Sequence, residues 1–359
     1  MNDVNPINKI LDLARWAPSG DNSQPWRIEV SDPSHFTVRG FDTRNHCVYD
    51  LDGHASQLSL GAFIETAAIA ASCLGLAVNV SLRQGLPETQ PTIDVSLCRD
   101  ATIAPSPLAP SIPERSVQRR PLSTQPIDKA VFDSLRKAVG PDYELVGFHT
   151  LDERVAWARL LWRNAGLRLR LPEAFQTHSS IIQWRAKFSA DRVPDQALGA
   201  SALTLVLMRY ALKSWSRVNF LNTWLGGTVA PRIEMDFLPA IFCGAHVAIL
   251  ANHAPATIAD HIDAGRAVQR FWLCATQWRL QHQPAFTPLV FSRYAREQRK
   301  FTALPKLATE ARHIAEALDE RLDGKADRAV WLGRLGYGPR ATARSERLSL
   351  SELIVTTGP

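Results

Sequence analysis

Cysteine is scarce in this sequence, and neither sign of charge strongly predominates. The 359 residues contain five cysteines, which are widely spaced and form no Cys-x-x-Cys pair. This scarcity excludes a disulfide-rich secreted scaffold and a cysteine-based zinc module, and it predicts a reducing, cytoplasmic location. The 41 basic residues exceed the 35 acidic residues by 6, and the isoelectric point is near 9.2. This excess is too small for a dedicated nucleic-acid binder, which needs a concentrated basic stripe.

Long apolar runs and targeting segments are missing as well. The stretch 58–80 contains Glu65, and the stretch 238–251 is short and contains His246, so neither predicts a transmembrane helix. The N-terminus lacks the basic start and following apolar run of a secretory signal. We therefore predict a soluble protein with a small-molecule substrate and with neither a nucleic acid nor a membrane as partner.

Several common catalytic motifs are also absent. The sequence has no Gly-Lys-Ser/Thr phosphate loop, no Gly-x-Gly-x-x-Gly after a strand and no Gly-x-Ser-x-Gly. His253, Asp260, His261 and Asp263 lie close together in the chain, but their spacing fits no common zinc site. P-loop, Rossmann and α/β-hydrolase chemistry are therefore not expected, and no metal is predicted.

Proline, by contrast, marks a boundary. Four prolines fall within the nine residues 105–113, where they prevent helix and disfavour a central strand. We predict that 105–113 connects a first half, residues 1–104, to a second half, residues 114–359. At roughly 150 residues per domain, this length suits two domains or one domain fused to a near-copy of itself.

A possible internal repeat favours the fused near-copy. When 265–280 is laid over 61–76, Gly265 pairs with Gly61 and the apolar pattern matches at an offset of 204 residues. Both stretches are typical of buried helices, and buried helices resemble one another, so duplication and simple similarity both remain open. A duplicated chain would fold as a pseudo-dimer with these two helices packed at its centre.

The second half contains extra material at about 151–237. Its helical part carries five arginines that could face an acidic ligand, although a solvated helix face is the simpler explanation: Arg154, Arg159, Arg163, Arg168 and Arg170. Its five tryptophans are typical of a core, but they could also form a lid over a flat ligand: Trp157, Trp162, Trp184, Trp215 and Trp224.

The most distinctive segment is 17–26, Ala-Pro-Ser-Gly-Asp-Asn-Ser-Gln-Pro-Trp, which we call the polar turn. It follows an amphipathic helix and precedes an alternating strand, so it presents backbone amides and short polar side chains at the end of an element. This helix, turn and strand pattern resembles the nitroreductase family of FMN-dependent flavoproteins. The resemblance implies flavin contacts from four residues of the turn: Pro18, Ser19, Gly20 and Asn22.

A second segment that resembles the family lies just after the proline-rich connector. Arg115 and Arg119 match the family's flavin-binding pattern R-x-[ST]-x-[RK], but Val117 stands at the hydroxyl position. Ser116, one place earlier, is the candidate replacement. Guanidinium groups suit a phosphate because they donate bidentate hydrogen bonds, and a positive charge near the flavin N1 and O2 would stabilise the anionic reduced ring.

Two C-terminal segments complete the resemblance. A strand ending in Gly-Tyr-Gly-Pro precedes Arg344 and Arg347, and the resemblance implies that these arginines reach the same phosphate. The segment 283–287 resembles the one whose backbone amides face the flavin N5 atom. This implies backbone roles for Ala285 and Phe286.

The motifs are divided unequally between the halves. The first half contains the polar turn but no arginine pair, whereas 140–143 replaces that turn in the second half, which has the arginines. In the homodimeric family, each flavin site combines an arginine cluster from one subunit with a polar turn from the other. The resemblance, closest to the fused, lid-bearing, Acg-like subgroup, therefore implies one FMN per chain. It also implies an α+β fold with antiparallel or mixed sheets and a helical lid, in a monomer or weak homodimer.

The implied function is that of an FMN-dependent oxidoreductase. Hydride would pass through flavin N5 between NAD(P)H and a nitroaromatic, a quinone-like compound or another small conjugated acceptor. No side chain is predicted as acid or base, because the flavin carries the chemistry. Three alternatives remain open: a flavin-dependent dehydrogenase or oxidase of a biosynthetic intermediate, a flavin-sequestering stress protein with an occluded site, and a non-flavin interaction protein.

Overall fold

The computed structural model describes residues 5–355; residues 1–4, the start of the segment tested for a secretory signal, and 356–359 lie outside this range. The strands are β1 (Trp26–Asp32), β2 (His35–Gly40), β3 (Leu76–Leu82), β4 (Thr92–Arg99), β5 (Tyr143–Phe148), β6 (Ile182–Gln183), β7 (Phe188–Ser189), β8 (Val193–Pro194), β9 (Ala245–Ala251), β10 (Gln281–Pro284), β11 (Ala329–Gly336) and β12 (Arg344–Ser345). The helices are α1 (Pro6–Ala14), α2 (His54–Ser72), α3 (Ser111–Glu114), α4 (Lys129–Val139), α5 (Leu151–Leu169), α6 (Pro172–Ile181), α7 (Ala202–Ala211), α8 (Trp215–Trp224), α9 (Val229–Pro231), α10 (Leu238–Ile241), α11 (Ile258–Gln277), α12 (Thr287–Arg296), α13 (Pro305–Arg321) and α14 (Leu350–Leu353). The chain is a mixed helix and strand protein, as the α+β prediction expected.

The two large sheets have the same strand order. One runs β1-β2-β4-β3 and the other β5-β9-β11-β10, and every neighbouring pair is antiparallel. In each set a long helix, α2 or α11, lies in sequence between the second and third strands. Each sheet packs on its own long helix and forms its own apolar core.

Helices α2 and α11 cross at a pair of glycines. A Cβ atom on Gly61 would overlap the carbonyl oxygen of Ile262, and one on Gly265 would overlap that of Leu58. The two contacts are reciprocal, because Leu58 and Ile262 are separated by the same 204 residues as the two glycines. Only glycine lets two helix backbones approach this closely.

Polar contacts between the same helices repeat this reciprocity. Glu65 of α2 pairs with Arg270 of α11 at 3.1 Å, and Gln269 of α11 donates from Nε2 to Thr66 Oγ1 of α2 at 2.9 Å. At the offset of 204 residues, position 65 corresponds to 269 and position 66 to 270, so the two contacts are counterparts of each other. Glu65 also accepts a hydrogen bond from Arg266 Nε at 2.9 Å. The buried carboxylate is compensated by these two guanidinium groups.

Residues 149–244, which we call the intervening segment, separate β5 from β9, whereas β1 and β2 are joined by a two-residue turn. The intervening segment contains α5 to α10 and includes the predicted extra material at 151–237.

Helix α5 packs against α10 and α13. The solvated-face interpretation of its arginines is wrong at two positions, because α5 is covered on more than one side. Arg154 donates to the Cys243 carbonyl at 2.6 Å, and Arg168 pairs with Asp236 at 3.2 Å.

The tryptophans of the intervening segment do not all lie in a core. Trp157 is buried, but Trp224 is 73% exposed at the end of α8.

The proline-rich connector is irregular only as far as residue 110, because α3 begins at Ser111. The central helices α2 and α11 begin before the stretches 61–76 and 265–280 that the sequence predicted as helical. Helix α11 begins at Ile258 because Thr257 and Asp260 form a capping box there.

No helix within residues 5–355 is long and apolar enough to cross a bilayer. The five cysteines lie within the same range and form no disulfide.

A pair of stacked histidines near the helix crossing predicts acid sensitivity. His54 and His261 lie 3.7 Å apart between ring centroids, and burial followed by repulsion from Arg293 lowers their pKa values to about 3 and about 4. The folded protein keeps both neutral, whereas the unfolded chain binds protons below about pH 6.5. Stability is therefore expected to fall as pH decreases from 6.5 towards 4, by about 1.4 kcal/mol per pH unit for each histidine.

Urea unfolding at neutral pH and near pH 5 measures this effect. The variant His261→Phe keeps an aromatic ring and removes a buried Nε2 that has no partner among residues 5–355. It should lose less stability on acidification than the parent protein. The exposed His313, changed to Phe, serves as control, and an equal acid response in all three proteins would contradict the prediction.

Candidate functional site

A cavity of about 310 Å³ lies between the two halves, at the start of α2. Ligand cavities in proteins commonly have volumes from about 300 Å³ upward. All eleven residues that the resemblance implied for FMN binding border it: Pro18, Ser19, Gly20, Asn22, Arg115, Ser116, Arg119, Ala285, Phe286, Arg344 and Arg347. The structure thus brings together both ends of the chain and the segment after the connector.

The polar turn borders the cavity with an unusual backbone. Asp21, Asn22 and Gln24 have φ angles of 51°, 62° and 47°, in the left-handed region that residues other than glycine rarely adopt. Asn22 Nδ2 and Gln24 Nε2 both donate to the Ala190 carbonyl, at 3.0 and 2.8 Å, and Ser19 Oγ accepts from the Gln24 amide at 3.0 Å. The intervening segment, to which Ala190 belongs, therefore holds the turn in this conformation.

The C-terminal segment holds the other side of the turn. Arg347 donates from Nε to the Ala17 carbonyl and from Nη1 to Asn22 Oδ1, both at 2.9 Å. The Leu348 amide donates to Gln24 Oε1 at 2.9 Å. These contacts place the Arg347 guanidinium against the polar turn, although the two are at opposite ends of the sequence.

Arg115 and Arg344 face the same cavity with unused hydrogen-bond donors. Arg115 donates from Nη2 to the Trp16 carbonyl at 3.1 Å and lies over the Trp272 ring, 4.4 Å from its centroid. Arg344 lies over the Trp16 ring at 4.8 Å. The Nε atoms of both arginines are buried without a hydrogen-bond partner within the described chain.

The charges of these arginines are not neutralised by carboxylates. Within residues 5–355, Arg115, Arg344 and Arg347 form no ion pair, in contrast to arginines such as Arg293. Burial lowers the pKa of all three, and repulsion from Arg344 contributes at Arg115 and at Arg347, where the pKa is lowered to about 9. An anion between them would offset both costs, so this part of the cavity is suited to a phosphate.

Two more arginines form a second basic group on the cavity wall. Arg334 donates from Nη2 to Gln283 Oε1 at 2.6 Å and to the Arg119 carbonyl at 2.7 Å, and its Nη1 is buried without a partner among the described residues. Burial lowers the pKa of Arg119 and lowers that of Arg334 to about 10. Arg334 was not predicted as a site residue from the sequence, and the signal that could have found it is a single charge within the apolar strand β11.

The structure shows the surroundings of Val117, which stands at the hydroxyl position of the arginine motif. Val117 forms a β-bridge with His282, and Ser116 borders the cavity beside it. The Ser116 hydroxyl makes no hydrogen bond to any residue from 5 to 355. Its use in place of a hydroxyl at 117 stays a prediction.

Another part of the cavity wall is formed by the segment before α12 and by aromatic rings. The Ala285 amide donates to the Leu332 carbonyl at 2.8 Å, so it is already engaged within the sheet. The Phe286 amide has no acceptor in the described part of the chain, which makes it the better candidate of the two to donate to a ligand. Trp272 and Trp331 also line this wall, with ring centroids 6.0 Å apart.

A second cavity, of about 600 Å³, adjoins the first beneath the intervening segment. Both cavities are bordered by Asp21, by Phe286 and by the Arg168–Asp236 ion pair. Asp21 makes no side-chain hydrogen bond within residues 5–355, and burial raises its pKa. The polar turn therefore separates an arginine-rich cavity from a larger, mostly apolar chamber.

The floor of the apolar chamber carries one neutral polar pair. Tyr49 Oη lies 2.8 Å from His178 Nε2. Burial lowers the pKa of His178 to about 3 and raises that of Tyr49, so both are uncharged at neutral pH. The chamber therefore presents uncharged polar groups at this point of its lining.

Comparisons with known proteins leave the family open. No protein-family model matches the chain, and no curated protein matches its sequence. Among solved structures, a nitroreductase-like family protein from Bacillus cereus is 13% identical, with 70% of this chain and 97% of that chain covered and a TM-score of 0.35. A nitroreductase with bound FMN from Bacteroides fragilis is 11% identical, covering 70% of this chain and 100% of that one at a TM-score of 0.35. The FMN-dependent nitroreductase NfnB from Mycobacterium smegmatis, in complex with NADPH, is 14% identical. The match covers 69% of this chain and 96% of that chain at a TM-score of 0.35. TM-scores this low assign neither fold nor function, so the function has to be inferred from the residues around the cavity.

Proposed function

We propose that this chain is an FMN-dependent oxidoreductase that holds one FMN between its halves. The observation that carries the proposal is the group of buried and half-buried arginines that face the cavity without carboxylate partners, beside the polar turn. Arg115, Arg344 and Arg347 would hold the phosphate. Arg119 and Arg334 form a separate basic group, where a positive charge would favour the anionic reduced ring.

The chemistry follows from these positions. FMN, when bound, supplies a two-electron carrier whose N5 atom accepts and donates hydride. The Phe286 amide would hydrogen-bond the ring, and Trp272 and Trp331 would exclude water from it. NAD(P)H as electron donor and a small conjugated compound, such as a nitroaromatic or a quinone, as acceptor belong to the same proposal.

An internal duplication, with halves at 1–104 and 114–359 and a lid at 151–237, is also part of the proposal. It is supported by the matching strand orders and by the reciprocal contacts of α2 and α11. The motifs that a second site would need are missing, because the first half has no arginine pair and 140–143 replaces the polar turn in the second half. A single site in a monomer or weak homodimer accords with this asymmetry, and a cytoplasmic location is part of the same proposal.

The proposal predicts that the protein discriminates FMN from riboflavin, which differs from it by the phosphate. Replacing a phosphate bound by two or more guanidinium groups with a hydroxyl should cost about 3 kcal/mol, or roughly 100-fold in affinity. Quenching of flavin fluorescence by the apoprotein measures both dissociation constants. Equal affinities for the two flavins would show that the arginines do not bind the phosphate.

A second candidate is a flavin-sequestering protein, which one observation favours. The intervening segment binds the polar turn through Ala190 and lines the chamber beside the site, so it would restrict the approach of a nicotinamide to the ring. Adding NADPH without oxygen separates the candidates, because the yellow colour of oxidised flavin bleaches only in a reductase. Bleaching by an organic substrate but not by NADPH would instead indicate a dehydrogenase or oxidase.

A further inference from the structure

Helix α7 turns an apolar stripe to solvent. Four side chains at i, i+3, i+4 and i+7 share this face, and each is more than half exposed: Leu203, Val206, Leu207 and Tyr210. This spacing normally marks the face of a helix that packs on the protein core. Here the core side of α7 contributes a single buried residue, Thr204.

Helix α8 extends the same kind of surface. Phe220 is 56% exposed and Trp224 is 73% exposed, one helical turn apart, and Leu225 follows at 66%. The only buried residue of α8 is Val218. Together α7 and α8 form an apolar face larger than the scattered exposed side chains of an ordinary surface. We call it the α7–α8 face.

The charged side chains on α7, α8 and the turn between them have one sign, and one carboxylate, Glu234, lies at the N-terminus of α7, where Ser201 and Thr204 donate to it. Residues 196–233 contain no aspartate or glutamate, and they contain four basic residues. Three of these lie on the two helices and the turn between them: Arg209, Lys213 and Arg217. The Arg217 guanidinium lies 4.5 Å from the centroid of the Tyr210 ring, so charge and apolar surface are intermixed.

The charge pattern discriminates between possible occupants. A second copy of the chain, related by a two-fold axis, would set the same cations against each other without acidic partners. An anionic lipid surface meets both features, because its head groups attract arginine and lysine while its acyl boundary takes up leucine, phenylalanine, tyrosine and tryptophan.

The inner side of the same helices faces the apolar chamber. The cavity of about 600 Å³ is lined by Met208 and Ala211 of α7, by Leu212 directly after it, and by Val218 and Leu221 of α8. The two helices are therefore the wall between the α7–α8 face and the chamber. An apolar compound dissolved in a bilayer would have only this wall to pass.

We propose that the α7–α8 face docks this protein on the surface of an anionic lipid bilayer, with both helices lying in the plane of the interface. This departs from the expectation of no membrane partner, which was based on the search for spanning segments. A surface helix of ten residues escapes that search, because it is far too short to span a bilayer. The docking proposal is independent of whether the cavity holds FMN.

Vesicle flotation with the full chain tests the proposal. The protein should float with vesicles of phosphatidylcholine and phosphatidylglycerol, float far less with phosphatidylcholine alone, and dissociate as salt is raised. The double variant Leu207→Asp/Trp224→Asp should bind the anionic vesicles about 100-fold more weakly, because two exposed apolar anchors are replaced by anions. A matched control is Leu74→Asp/Leu86→Asp, which changes two exposed leucines in the first half and should float like the parent.

Three results would overturn the inference. One is failure of the parent protein to float with anionic vesicles, and another is equal loss of flotation in the control variant. The third is a dimer in sedimentation velocity that the Leu207→Asp/Trp224→Asp substitutions dissolve, since the face would then be an interface between copies. Thermal unfolding shows whether each double variant is folded. If one is not, the two single substitutions at the same positions are tested in its place.

Discussion

Replacing Arg115 and Arg119 together with alanine is expected to abolish FMN retention and leave the fold intact. Each guanidinium would donate charge-assisted hydrogen bonds worth about 2 kcal/mol, so the pair should account for about 4 kcal/mol, or roughly 1000-fold in affinity. The variant should purify colourless and bind added FMN only at far higher concentration. Equilibrium dialysis of the apoprotein measures the change.

The fold should tolerate this change, because both arginines are costly in the absence of an anion. Burial lowers the pKa of each, and neither forms an ion pair within the described residues. The thermal midpoint of the apo variant should therefore be no lower than that of the apo parent. Arg136→Ala/Arg299→Ala removes two exposed arginines and the same net charge, and it should keep its flavin. If the Arg115/Arg119 variant purifies with full flavin, the site assignment is wrong.

The second large effect is expected at the helix crossing. Gly61→Ala would drive a Cβ atom into the carbonyl oxygen of Ile262, and Gly265→Ala would do the same at Leu58. Backbone atoms of two packed helices cannot rotate away, so each variant should lose at least about 3 kcal/mol. Because the cavity walls come from both halves, any folded fraction should also lose flavin.

Thermal unfolding and far-ultraviolet circular dichroism measure this loss. Gly20→Ala is the matched control for stability, because a Cβ atom there would meet nothing within 4 Å. Its thermal midpoint should stay close to that of the parent. The two crossing variants should also be non-additive when combined, since both act on one contact. A midpoint for Gly61→Ala equal to that of Gly20→Ala would contradict the crossing geometry.

Local sequence patterns were sufficient for the elements that follow a regular period. The buried pattern of 61–76 indicated a helix, and the alternation after the polar turn indicated a strand, because both depend only on neighbours in the chain. The ends of elements were less predictable. Helix α11 begins at Ile258, where a capping box of side chains satisfies its first amides.

The candidate site was partly predictable for the same reason. The polar turn and the arginine motif are local sequences, and the structure places both on one cavity. Arg334 was missed because its hydrogen bonds go to Gln283 and to the Arg119 carbonyl, which are far from it in the chain. The exposure of Trp224 was missed because amphipathic periodicity gives the faces of a helix but not which of them meets the core.

The sequence by itself determined the polar turn, the arginine motif, the central glycines at one offset and the absence of spanning segments. Only the tertiary structure decided that five arginines without carboxylate partners face one cavity and that α7 turns its apolar stripe outward. It also decided that the Ala285 amide is engaged while the Phe286 amide has no acceptor within residues 5–355. The physical reason is that charge compensation and burial depend on distances between residues remote in the chain. A local pattern contains no information on those distances.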